Sequence, residues 1–155
     1  CDCAPTPEQL VGYSIRGAAA AIIGRHPAVA AYTSSVGSGG TLQGSGSIGG
    51  SVTVQSGGII AAGNSIESLA TGALTLNAGS TFAYEMDNDA SLGLAGDLTV
   101  INGGLNFDLT NAAILTLNDL GSGSWTIGEK LTLLSYNGSW NNGLFNPSQT
   151  RLSLV

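Results

Sequence analysis

An apolar–Thr–apolar triplet recurs along this chain and limits what it can fold into. It stands at Val52-Thr53-Val54, Leu74-Thr75-Leu76, Leu98-Thr99-Val100, Leu115-Thr116-Leu117 and Leu131-Thr132-Leu133. Its threonines lie 22, 24, 17 and 16 residues apart. The first three triplets each lead into a glycine turn and a second apolar pair. These are Gln55-Ser56-Gly57-Gly58-Ile59, Asn77-Ala78-Gly79-Ser80-Thr81-Phe82 and Ile101-Asn102-Gly103-Gly104-Leu105. Recurrence at about 20 residues marks an array whose units bury a core only against their neighbours. Such arrays usually present a surface or span a distance, so the expected role is structural and not enzymatic.

Composition narrows the class. Hydrophobic residues make up 43% of the 155 and charged residues only 9%, the reverse of what keeps a chain disordered. Glycine is abundant, at 24 residues, but without the period of collagen. Thr, Ser, Asn and Gly replace Lys and Glu as the polar residues, which suits pleated strands and tight turns. The net charge is −6, and the four basic residues are Arg16, Arg25, Lys130 and Arg151. A basic patch able to neutralise phosphates cannot be built from these, which argues against nucleic-acid binding.

Two segments differ in character. In residues 1–36, Thr6 can cap a helix, with Pro7 at its first position and Gln9 three residues after the cap. The apolar residues Leu10, Val11, Tyr13, Ile15, Ala18, Ala19, Ala20, Ala21, Ile22 and Ile23 follow, and Gly24 and Pro27 are stop signals. Arg16 interrupts the run, which leaves it too short to span a bilayer. The expectation is a helical or extended arm or cap over residues 1–36. Residues 37–155 form the second unit, turns and short strands without helical period. Two architectures fit it. A parallel β-helix stacks equivalent triplets one circuit apart. An antiparallel β-sandwich would use the glycine turns as hairpins. Repetition of the phrase favours the β-helix.

Residues 39–58, from Gly39-Gly40-Thr41-Leu42 to Gln55-Ser56-Gly57-Gly58, resemble the autotransporter-associated β-strand repeat. Ala62-Gly63-Asn64-Ser65 resembles the corner that follows in that family, although Ala61 stands where proline is usual and Ile66-Glu67 where Pro-Gly is usual. Leu74-Thr75-Leu76, Ala78-Gly79-Ser80-Thr81 and Glu85 continue the pattern. Residues 128–134 with Gly143-Leu144-Phe145 resemble its ending. The likeness covers about residues 39–145. It implies an all-β, right-handed parallel β-helix, secreted or held on a bacterial surface, serving as stalk, adhesin body or surface-layer material. The family brings no catalytic residues and no cofactor.

Chemistry is sparse. His26, the lone histidine, suits the C-terminus of a helix more than a catalytic set. Asp87-Asn88-Asp89 lacks the ligand spacing of calcium loops and reads as a solvated turn. Asp97 and Asp108 could in principle be the pair of carboxylates that a polysaccharide-cleaving β-helix uses. Tyr84, Trp125, Tyr136 and Trp140 could stack on sugars, but are more often core or cap residues. No metal site, cofactor site or catalytic residue is expected.

The ends carry the sharpest expectation. An array leaves unpaired backbone at both ends unless something covers it. Arg151-Leu152-Ser153-Leu154-Val155 alternates apolar and polar residues and has no polar cap. Either a longer chain or another copy is expected to cover it. Cys1 and Cys3 are too close in sequence to bridge each other easily, and intermolecular bonding is one use for them. Candidate subunit joints are therefore Cys1, Cys3, Leu10, Val11, Ile15, Ile22, Ile23, Leu152, Leu154 and Val155. The expected protein is an extracellular subunit that self-associates, in head-to-tail filaments if the contact does not close. The alternative is an adhesin or stalk that binds a host surface or polysaccharide.

Overall fold

Side chains of a strand alternate between its two faces, so three-residue strands such as Val-Thr-Val send two residues inward and one outward. The chain realises that pattern in a computed structural model that describes residues 13–15, 20–23, 33–63, 65–88, 95–110, 112–148 and 151–154. These residues contain strands, turns and no helix.

Three sheets take the strands in rotation. The first sheet contains β1 (Tyr13–Ile15), β3 (Ser34–Val36), β6 (Val52–Val54), β9 (Leu74–Leu76) and β13 (Leu105–Phe107), in that spatial order. The second contains β2 (Ala20–Ile23), β4 (Thr41–Gly44), β7 (Ile59–Ala62), β10 (Thr81–Asp87), β14 (Ile114–Asp119) and β16 (Arg151–Leu154). The third contains β5 (Gly46–Ser47), β8 (Ser68–Thr71), β12 (Leu98–Ile101) and β15 (Leu134–Tyr136). Every pair along these orders is parallel; among the described strands the two-residue β11 (Ala95–Gly96) runs antiparallel, against the end of β10.

The antiparallel sandwich is thereby corrected, because the glycine turns are corners and not hairpins. Gly40 donates to the Gly37 carbonyl at 2.9 Å, Gly58 to Gln55 at 2.8 Å and Ser80 to Asn77 at 3.0 Å. The third residue of each turn is a glycine at positive φ: Gly39 (73°), Gly57 (74°) and Gly79 (72°). That combination is a type II turn. The turns stack, with Gly39 N–H on the Gly57 carbonyl and Gly57 N–H on that of Gly79, both at 2.9 Å. Each turn passes the chain from the first sheet to the second.

A helix at the start of the chain is corrected where the structure describes it. Tyr13–Ile15 pairs in register with Ser34–Val36, and Ala20–Ile23 with Thr41–Gly44. Parallel neighbours supply the hydrogen bonds that a lone amphipathic helix would have made internally, and tertiary context overrides the local helix signal. The proposed cap at Thr6 and Pro7 lies outside the described residues. The sequence boundary at residue 36 falls at the end of β3, which is paired on both sides by β1 and β6.

The five triplets do not form one ladder. Thr53 and Thr75 are register partners in the first sheet. The next strand there is Leu105-Asn106-Phe107, whereas the third triplet lies in the third sheet, the fourth in the second, and the fifth just before β15. Strands of the first sheet begin at residues 13, 34, 52, 74 and 105, so successive circuits take 21, 18, 22 and 31 residues. The last is the longest, although the threonine spacing falls from 24 to 16 along the chain. It contains the seven-residue β10 and its antiparallel partner β11.

Buried residues of all three sheets form a single apolar cluster. Val36, Val52, Val54, Leu74 and Leu76 come from the first sheet, Ile60, Phe82 and Tyr84 from the second, Leu69 and Ile101 from the third. The third triplet faces the other way from the first two: in β12 it is Thr99 and Ile101 that are buried, in register with the buried Leu69 and Thr71 of β8. Thr71 satisfies its hydroxyl on the Gly72 carbonyl at 3.0 Å, but the Thr99 hydroxyl is buried without a partner. Burial of an unpaired hydroxyl destabilises. Thr99→Val is expected to raise stability by about 1 kcal/mol, seen as a higher urea midpoint at unchanged slope.

Candidate functional site

Among the described residues, the two edges of the second sheet are β2 and β16. The sequence-derived joint residues fall on opposite ends of the stack. Ile22 and Ile23 lie in β2, Ile15 lies in β1 at the neighbouring edge of the first sheet, and Leu152 and Leu154 lie in β16. Cys1, Cys3, Leu10, Val11 and Val155 are outside the described residues. Both edge strands run parallel to their inner neighbours.

The first sheet ends differently, through a device that the sequence did not single out. Leu105 donates to the Ser139 carbonyl at 2.8 Å, and Asn141 N–H returns to Leu105 at 3.3 Å, so residues 139–141 start one more rung. The Asn141 side chain then replaces backbone. Its Oδ1 accepts the Phe107 N–H at 3.1 Å, and its Nδ2 donates to the Phe107 carbonyl at 2.7 Å. The same Oδ1 accepts from Gly143 N–H at 3.1 Å, and Asn142 turns the chain away at φ 61°. One carboxamide thus occupies both polar groups of Phe107 and stops the ladder. The signal in the sequence is the run Asn141-Asn142-Gly143, of residues that favour turns. Asn141→Ala leaves that peptide unpaired and is expected to lower stability by about 1–3 kcal/mol, measured by urea unfolding.

Beyond this stop lies an apolar cleft of about 440 Å³. Phe107, Leu131, Leu133, Leu134, Trp140 and Leu144 line it. Phe145 closes its floor, 5.0 Å edge-on from Phe107 and 5.6 Å from Phe82 between ring centres. Leu144 is 67% exposed, and Tyr136 and Trp140 are also exposed at the rim. Their rings stand 6.4 Å apart and tilted by 51°. Trp140 Nε1 donates to the Gly143 carbonyl at 3.0 Å, which orients its ring.

The remaining candidates are dispersed. Asp97 precedes the third-sheet strand β12, and Asp108 follows the first-sheet strand β13. Asp97 is 2% exposed and accepts the backbone N–H groups of Glu67 and Glu85, each at 3.0 Å. Burial pushes its pKa up to about 6 against those two hydrogen bonds, and the charges of Glu85 and Glu67 add to the rise. Asp108 accepts from the backbone and hydroxyl of Thr110 in a turn. Tyr84 is buried, its hydroxyl donating to Thr132 at 3.4 Å. Burial raises its pKa, with the Asp97 charge adding. Trp125 donates through Nε1 to Asp119. Asn88 accepts from Gly123 N–H at 3.1 Å; Asp89 and His26 lie outside the described residues.

Among the described residues, no group of three His, Cys, Asp or Glu side chains is arranged to hold a metal ion. No helix among them is long and apolar enough to cross a membrane. Comparison with protein-family models, curated proteins and solved structures finds no match.

Proposed function

We propose that this chain is a right-handed β-helix of the autotransporter-associated repeat type, and that it is an extracellular structural subunit of a bacterial surface. It joins copies of itself head to tail and has no catalytic role. The observation that carries this reading is the pair of edges on the second sheet. β2 and β16 point the same way along one parallel sheet. Laying β16 of one copy beside β2 of the next would continue that sheet in the same sense. The contact is heterologous, so it repeats without closing unless its rotation happens to make a ring. The apolar cleft at the β13 end supports the same reading, because a following copy would take its rim from water. Electron microscopy of the intact chain at rising concentration tests this. Unbranched fibres one molecule wide are expected; discrete particles of constant size would contradict it.

A second reading, a module that binds polysaccharide, is favoured by the exposed Tyr136 and Trp140 beside the cleft. It requires Trp140→Ala to abolish retention on a polysaccharide matrix while leaving the particle size unchanged.

A further inference from the structure

Asp97 does not belong to either end of the stack, and its surroundings are unusual for a carboxyl group. It sits at the corner between β11 and β12, nearly free of solvent contact. Its two oxygens are divided between two circuits. Oδ1 holds the N–H of Glu67, just before β8, and Oδ2 holds the N–H of Glu85, within β10. The backbone reinforces the same junction: Asp97 N–H donates to the Glu85 carbonyl and Leu98 N–H to that of Glu67, both at 2.9 Å. One side chain therefore clasps neighbouring circuits whose own residues are 30 and 12 positions away.

The charged groups acting on this carboxyl are acidic. Glu85 from β10 and Glu67 from the preceding circuit both oppose its ionisation, and the Tyr84 hydroxyl from β10 lies within reach of its charge. Glu85 adds a second observation. Its Oε2 is buried and lacks a hydrogen-bond partner. Such an acceptor calls for a donor. A protonated carboxyl supplies an O–H while its oxygens still accept.

We propose that Asp97 takes up a proton from solvent in the folded protein and donates it in a hydrogen bond to the buried oxygen of Glu85, so that this corner is an acid-tightened clasp. Protonation removes a buried charge, keeps the two backbone bonds and satisfies the orphaned oxygen. The linkage has a definite sign. The folded pKa is about 6, above the ordinary value near 3.9 of an unfolded aspartate. Stability from this group is complete below about pH 4 and is lost as pH rises through about 6.

The direct test follows the Asp97 carboxyl carbon of the intact protein by NMR from pH 3 to 8, with Asp97→Asn assigning the resonance. A midpoint near 6 is expected, and one at or below 4 would overturn the proposal. In Glu85→Gln the opposing charge is gone and the midpoint is expected to fall by about one unit. An unchanged midpoint would overturn the shared proton. Thermal unfolding supplies the second readout. The melting temperature of the wild type drops by several degrees from pH 4.5 to 7.5, and Asp97→Asn loses most of that drop. Equal slopes in the two proteins would remove Asp97 as the clasp.

Discussion

Phe82→Ala is expected to cost about 3–5 kcal/mol. Phe82 is 1% exposed and lies at the centre of the second sheet, in register with Ile60 on one side and Leu115 on the other. Its ring also meets Phe145, which closes the floor of the cleft. Removing it opens a cavity at the point where the described circuits and the last loop share their core. Neighbours on both sides are fixed by backbone ladders, so the space cannot collapse. Total stability of a domain this size is about 5–15 kcal/mol, so the variant is expected to be partly unfolded at 37 °C. Phe82→Leu keeps most of the volume and is expected to lose under about 1.5 kcal/mol. Urea unfolding followed by circular dichroism checks both; a loss below 1 kcal/mol for alanine would mean that the ring is not part of a close-packed core.

The second large effect concerns assembly. Proline removes a backbone N–H, and successive residues in a strand direct theirs to opposite sides. Of Leu152→Pro and Ser153→Pro, one therefore disturbs the inner pairing of β16 with β14, and the other acts on the outer edge. The outer-edge variant is expected to stay folded and to lose self-association by at least tenfold in apparent affinity. The inner-edge variant is expected to detach β16 and to lose association together with stability. Light scattering, read beside circular dichroism, separates the two. If both variants associate like the wild type, the β16 edge is not the joint.

What the sequence disclosed and what it hid follow from the range of the interactions. Thr53 and Thr75 stack as the repeated phrase implies, because equal circuits keep equivalent residues in register. Leu98-Thr99-Val100 looks the same on paper, but it lies in another sheet and turns its threonine inward. Nothing local marks that change, since the added length comes from β10 and β11 upstream. The apolar run around Ala20–Ile23 reads as helical because its caps and alanines are local signals. Its strand geometry depends on β4, some 20 residues further on. Asp97 was legible only as an acidic residue with catalytic potential. Its backbone donors stand 30 and 12 positions away, one of them in the preceding circuit, so its role as a clasp cannot be read from its neighbours in the chain. Asn141 was hidden for the same reason, since its partner Phe107 is 34 positions away.

End-to-end association is the claim on which the functional reading stands, and mass in solution tests it most directly. Sedimentation velocity on the intact chain, over a hundredfold range of concentration, is predicted to show species that grow without a fixed endpoint and dissociate on dilution. A single sharp boundary at the monomer mass of 15.4 kDa across the whole range would contradict it.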